Sequence, residues 1–272
     1  MDFGPTSFEK LRLLTGAASL SLLLIWETLA PASKWFSQPR QRISHAARNY
    51  IIGLFNVFLV TFIFVQSWIF AANWASANQF GLLYQTSLPP LLRWTIALLL
   101  LDLWMYFWHR MNHTLSFFWR FHRMHHGDRN MDVTSAVRFH AGEIAFSALL
   151  RIPLILILGL RFEELALYEL LLFIVVQFHH ANVRLNSNID QWLRLLIATP
   201  AFHRLHHSED LIQTNSNYSS ILSIWDRLFR TVGAGTPATL GVKGLENETL
   251  LSMLQTPFQK KSPPMNGKES GR

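Results

Sequence analysis

The stretch NYIIGLFNVFLVTFIFVQSWIFAANWASANQFGLLYQTSLPPLL, Asn49–Leu92, contains no Asp, Glu, Lys, Arg or His in forty-four residues. A single bilayer crossing needs only ~20 apolar residues, so this run is too long and too uniformly uncharged to be a soluble core. The rest of the chain agrees. Of 272 residues, 50% are hydrophobic and 15% charged, against about 25% charged in ordinary globular chains. The expected fold is an all-α polytopic membrane helical bundle with a cytoplasmic helical cap.

Proline and charge divide the remainder. A first span covers Leu13–Ala30 and stops at Pro31. The apolar stretch behind Lys10 and Arg12 offers no clear small-residue cleavage site, so it reads as a retained span. The next segment carries Lys34, Arg40, Arg42 and Arg48 with no acid, the mark of a cytoplasmic loop. Ile51–Asn73 crosses outward, Trp74–Pro89 turns, and Pro90–His109 returns. After a loop over Arg110–Glu143, Ile144–Leu160 and Leu165–Phe178 form an apolar hairpin that includes Arg151 and Glu169. That hairpin is either a pair of full spans or re-entrant. Either way His179 returns to the side on which His109 emerges.

The formal charge of +7 is spread over the loops instead of forming one run, which fits inward-facing loops and not a nucleic-acid partner. There is no cysteine, which excludes disulfides, iron–sulfur clusters and thiolate-ligated haem. Any metal must be held by nitrogen and oxygen.

Eleven of the twelve histidines lie between His109 and His207. His109 and His113 are four apart. FHRMHH at Phe121–His126 sets His122, His125 and His126 at i, i+3 and i+4, and FHRLHH at Phe202–His207 repeats the pattern with His203, His206 and His207. These spacings put side chains on one helical face. Thr199-Pro200 offers an N-cap and a first turn for the later triplet, and Gly127 a stop for the earlier one. A solvated face or a pH sensor is the plain alternative. Eight imidazoles packed as free groups, however, repel one another whenever protonated, and metal binding holds them neutral.

Eight ligands are too many for one ion. Four per metal, or three plus oxygen, means two metals, and the doubled hexapeptide reads as two half-sites facing each other, with His109 and His113 as a third wall. Zinc, copper and iron all suit imidazole. Zinc-protease chemistry is disfavoured because no H-E-x-x-H occurs. Bis-histidine haem would need only two of these residues. His45, isolated in sequence, reads as a surface or hydrogen-bonded residue.

Asp102, Tyr106, His109 and His113 share one face of the third span. A carboxylate inside ALLLLDLWMYFW is expensive in lipid and calls for a function. The expected role of Asp102 is to accept the free ring N–H of a ligand histidine; the alternative is an interhelical partner for an arginine such as Arg151.

Taken together, H-x-x-x-H at His109–His113, the two H-x-x-H-H triplets, and the flanks DLWMYFWHRMNH, WRFHRMHHGDRNMDVTSAVRFHAGE, QFHHANV and TPAFHRLHHSEDLIQTNSNYSSILSIWDRLFRT resemble the fatty acid hydroxylase/sterol desaturase superfamily. The resemblance covers roughly Leu98–Thr231. It implies two iron ions held by the eight clustered histidines on the cytoplasmic side, with His180 of the HAN sequence as a ninth ligand and His179 its less favoured neighbour. The family often has proline after the histidine matching His140, where this chain has Ala141, so His140 is placed behind the ligands. The implied reaction uses dioxygen and externally supplied electrons to hydroxylate or desaturate a lipid drawn from the bilayer. Oxidative cleavage of an ether lipid, or metal binding and transport without redox chemistry, are the competing functions. The implied organisation is N-terminal spans over 1–97, a catalytic region over 98–231, a short cytoplasmic segment over 232–259 and a disordered tail over 260–272. An electron-donor protein is the expected partner, and the oligomeric state is left open.

Overall fold

Proline starts three of the long helices, at Pro5, Pro39 and Pro90, because its fixed φ suits a first turn and its missing N–H costs nothing there. The computed structural model describes residues 5–245 and 249–259, with side chains from residue 14 onward; the expected tail at 260–272 lies outside the described residues. Helix α1 runs over Pro5–Leu29, α2 over Pro39–Leu59 and α3 over Val65–Ala77. A π-helical turn at Val60–Phe64 joins α2 to α3, so the pair forms one long rod. Helix α4 covers Pro90–Thr114, α5 Ser116–His126, α6 Ala141–Leu158 and α7 Phe162–His180. Short helices follow: α8 Ser187–Leu193, α9 Pro200–His206, α10 Leu211–Thr214, α11 Ile224–Leu228 and α12 Leu250–Leu254. Among the described residues β-structure is confined to isolated bridges. The fold is all-α.

Three segments are long and apolar enough to cross a membrane: Pro39–Tyr84, Pro90–Thr114 and Ala141–Leu158. Helix α7, with Glu163, Glu164 and Glu169, falls outside that set. The second span begins well before the expected Ile51. Pro39 starts the helix, so Arg40, Arg42 and Arg48 lie in its first turns and not in a loop. Their charges are accommodated there: Arg42 pairs with Glu27 at 2.7 Å and Arg48 donates to Ser44 Oγ at 2.7 Å.

Polar contacts give the direction of each helix. At the end remote from the histidines, Arg93 near the start of α4 donates to Glu164 at the start of α7 (2.8 Å) and to the Leu83 and Gly159 carbonyls, both at 2.8 Å. Gly81 and Gly159 meet there with φ of +103° and +70°; a Cβ on Gly81 would lie 2.3 Å from the Gly159 nitrogen. Midway, Trp68 Nε1 donates to the Ala148 carbonyl at 2.9 Å and Arg151 pairs with Glu169, so the intramembrane arginine is neutralised across α6 and α7. At the opposite end Asn49 reaches Thr134 Oγ1 (2.9 Å), Asn56 reaches the Phe139 carbonyl (2.7 Å), and Glu27 accepts from the Val133 and Asn182 amides (both 3.0 Å). Helices α4 and α7 therefore run parallel, with their C-terminal ends at the same level, and α6 runs the opposite way, packed on α2 and α3. His109, His113, His179 and His180 all arrive at one end of the bundle, where α5 and α9 join them.

Candidate metal centre

Two short helices carry the repeated hexapeptides. Thr199 Oγ1 accepts from the Phe202 amide at 3.3 Å and Pro200 fills the first turn of α9. Helix α5 ends at Gly127, which keeps a right-handed φ of −69°. The stop therefore exploits the chain's exit and not a left-handed glycine.

Nine histidines converge in two groups: His109, His113, His122, His126 and His206 in one, and His125, His180, His203 and His207 in the other, with potential ligand atoms within 4.8 Å of one another in each. All nine are buried, His109 at 9% exposure and the others at 0–2%. Each hexapeptide is divided between the groups, which corrects the expectation that each forms its own half-site. At about 100° per residue, the i and i+4 members of a triplet lie ~40° apart while i+3 points ~60° the other way. From α5, His122 and His126 (i and i+4) enter the first group and His125 (i+3) the second. From α9 the roles exchange: His206 (i+3) enters the first group and His203 and His207 the second. Both helices thus bridge both groups.

The ring tautomers decide what the groups can bind. His109 Nδ1 lies 2.7 Å from the Tyr218 carbonyl and His206 Nδ1 lies 2.6 Å from the Ser216 carbonyl. A carbonyl only accepts, so both Nδ1 atoms carry hydrogen and both Nε2 atoms present lone pairs. Those two Nε2 atoms are 2.9 Å apart. In the second group His180 Nδ1 is directed at the Val176 carbonyl (2.8 Å), and its bare Nε2 faces His125 Nε2 and His203 Nε2, each at 3.1 Å. The facing lone pairs of His109 and His206 repel at that separation unless a cation lies between them, and the bare Nε2 of His180 offers a further lone pair to the second group. Burial, and then the neighbouring imidazoles, push His125, His126, His203, His206 and His207 well below the usual histidine range, so a proton does not supply that cation. The donor set fits metal ions. Glu143 strengthens the fit. Its Oε1 accepts from His122 Nδ1 at 2.8 Å and from Asn112 at 3.2 Å, while its buried Oε2 has no partner among the described residues. A buried carboxylate with one oxygen unpartnered suits positive charge nearby.

The other expected residues are placed differently. Asp102 does not orient a ligand ring. Oδ1 accepts from Tyr168 OH (3.0 Å), and Oδ2 accepts from the Leu222 amide (3.0 Å) and Trp225 Nε1 (2.7 Å). Nor is it the partner of Arg151, which Glu169 takes. Seven residues separate Asp102 from His109, about 10 Å of helix, too far for a side-chain contact. Tyr106 is buried, stacks on Phe229 and shares a 2.9 Å hydrogen bond with Thr231. His179 packs at a tilt against His203, with ring centroids 3.9 Å apart, and lies outside both groups. His140 caps α6: its Nδ1 accepts from the Gly142 amide (3.0 Å) and its Nε2–H donates to the Leu254 carbonyl (3.1 Å). His45 is a buried, hydrogen-bonded residue, 3.0 Å from both Asp128 oxygens.

Sequence reasoning missed Glu143 and Asp226. Asp226 accepts from the Tyr218 and Ser219 amides, both at 2.8 Å, and so shapes the turn whose Tyr218 carbonyl holds His109. Its signal was an acid inside the apolar run ILSIWDRLF, the same anomaly that drew attention to Asp102.

Comparison with known proteins places these features. Over 177 residues, 64% of the chain, it is 30% identical to an ornithine lipid hydroxylase of Rhizobium tropici, covering 52% of that protein. It is 30% identical over 141 residues to human alkylglycerol monooxygenase, covering 52% of this chain and 31% of that one. A very-long-chain aldehyde decarbonylase of Oryza sativa subsp. indica is 30% identical over 153 residues, with 53% and 24% covered. The chain therefore spans about half the length, or less, of these relatives. No solved structure matches. Residues 94–231, which hold most of α4, both hexapeptides and Asp226, match the family model described as fatty acid hydroxylase, and the chain belongs to the fatty acid hydroxylase family.

Proposed function

We propose that the chain is a membrane-bound oxygenase in which two iron ions occupy the two imidazole groups and a lipid from the bilayer is hydroxylated or desaturated. The observation that carries this reading is the convergence of nine buried imidazoles in two groups, each with its potential ligand atoms within 4.8 Å of one another. The ligands are His109, His113, His122, His126 and His206 on one side and His125, His180, His203 and His207 on the other. Iron held there supplies redox chemistry with dioxygen able to replace an unactivated C–H bond by C–OH. The overall balance is R–H + O2 + two electrons + two protons giving R–OH + water, and removal of a second hydrogen leaves an alkene instead.

The chain's own residues do the positioning. The Tyr218, Ser216 and Val176 carbonyls and the Glu143 carboxylate fix four rings with their Nε2 atoms turned inward. Packing that leaves the rings almost unexposed keeps bulk water out. The catalytic region over 98–231 does this work, the N-terminal spans scaffold it, and the described residues at 249–259 close it from outside. That closure runs through Arg123, which donates to the Thr256 and Gln259 carbonyls, and through His140. The arginine-rich loops argue for a cytoplasmic site and for a separate electron-donor protein docking there. The alkylglycerol monooxygenase relatives favour a second reading, oxidative cleavage of an ether lipid, which begins with the same hydroxylation. Transport without redox chemistry is disfavoured, because the ligands gather at one end of the bundle instead of along it. Lipid profiling of cells with and without the chain tests the reading: an oxygenated or newly unsaturated lipid that depends on His206 is expected, and an unchanged lipidome would reject it.

A further inference from the structure

Asp102 reveals the depth of a part of the chain beyond the spans. It sits about 10 Å from His109 along α4, on the membrane side of the histidines. Leu222 and Trp225 are hydrogen-bonded to its carboxylate at 3.0 and 2.7 Å. Ile221 packs against the apolar core shared by α3, α4, α6 and α7. The neighbouring segment follows to the same level: Ile197 bridges to Leu222, the Ala198 amide donates to the Ile221 carbonyl at 2.9 Å, and the Ser223 amide donates to the Leu196 carbonyl at 3.1 Å. Together 187–198 and 221–228 form a two-limbed element lying beside the spans, not above them.

Beyond the exposed Ser187, Asn188 and Gln191 at the start of its first limb, its outward surface is apolar. Trp192 is 74% exposed, Leu196 66%, Ile224 52% and Leu228 63%, and Leu196 and Trp192 line an apolar groove with Ile189 and Leu193. The charges of the element are engaged: Asp226 accepts from the Tyr218 and Ser219 amides. Arg194 pairs with Asp190, and Arg227 donates to Ser223 and to the Arg194 carbonyl. A surface of this kind at the depth of a transmembrane core is matched by acyl chains, with tryptophan suited to the adjoining interface. We propose that this element is a re-entrant wedge immersed in the bilayer leaflet on the histidine side, its Trp192–Leu196–Ile224–Leu228 face against lipid. The wedge gives the bilayer a boundary next to the metal groups, and it rests on α2–α3, α4 and α6 crossing the membrane.

The absence of cysteine makes the test direct. Leu196→Cys and Ile224→Cys carry a nitroxide label in the full chain reconstituted into phosphatidylcholine vesicles, and accessibility to oxygen is compared with accessibility to a water-soluble nickel chelate. Leu54→Cys and Leu99→Cys report the spans, and Ala238→Cys reports water. Trp192→Cys, the most exposed of the four, serves if a leucine or isoleucine variant fails to fold. Labels on the wedge are expected to favour oxygen as strongly as those at Leu54 and Leu99. Nickel accessibility equal to that at Ala238 would overturn the wedge. Exclusion of both reagents would overturn it as well, by revealing a protein partner or second copy on that face. If Leu54 and Leu99 themselves read as water-exposed, the membrane reading falls with it.

Discussion

Replacing Glu143 by glutamine isolates the electrical part of the site. Glutamine keeps an acceptor for His122 Nδ1–H, now held at 2.8 Å, but removes a buried negative charge whose second oxygen has no partner among the described residues. A carboxylate behind a ligand imidazole raises its basicity, and losing such a partner costs 10–100-fold in metal affinity or activity, about 1.4–2.7 kcal/mol. Glu143→Gln should fall near the lower figure. Glu143→Ala, which also frees the ring and leaves Asn112 without its acceptor, should fall near the upper. Timed incubation of purified protein with a chelator, followed by metal analysis, provides the assay, and far-ultraviolet circular dichroism checks that the helices survive. Loss should begin with the five-histidine group, so metal content should pass from two toward one before reaching zero. Folded Glu143→Ala protein that keeps its metal as long as the parent chain would refute the assigned role.

Other perturbations probe separate parts of the account. His125→Ala and His206→Ala each remove a ligand from a different group and should abolish lipid oxidation while the protein still inserts; a fully active His206 variant would contradict the shared-group arrangement. Asp102→Ala strands one buried donor, Tyr168 OH, and two part-buried ones, a buried unsatisfied donor costing about 1–3 kcal/mol, so stability in detergent should fall by about 2 kcal/mol or more, and an unchanged unfolding midpoint would argue against the anchor. Burial lowers His140 below the usual histidine range, and its Nδ1 must stay unprotonated to accept from Gly142. The folded state then binds fewer protons than the unfolded one, so the contribution of this cap is present above about pH 6.5 and declines as pH falls below it. The decline between pH 7 and pH 5 should be smaller in His140→Asn, as followed by thermal unfolding.

The helices were legible because lipid allows so few alternatives: long uncharged runs, prolines at their starts, and histidines spaced at i, i+3 and i+4. What the sequence concealed were choices made between segments distant in the chain. Nothing in FHRMHH says that His125 serves one group while His122 and His126 serve the other; that follows only from where α5 and α9 cross. Asp102 stands out in the sequence as an acid among apolar residues, yet its partners Leu222 and Trp225 lie more than a hundred residues away. Glu143 escaped because an acid in a helix's first turn has an ordinary explanation in the helix dipole. Arg40, Arg42 and Arg48 read as a loop because charge was weighed above the proline that starts their helix.

The central claim is that the two imidazole groups are two metal sites. Elemental analysis of detergent-purified protein, with protein quantified by amino-acid analysis, tests it most directly. The account predicts two irons per chain, with occupancy reduced by either His125→Ala or His206→Ala. A single zinc, or metal content indifferent to both substitutions, would contradict it.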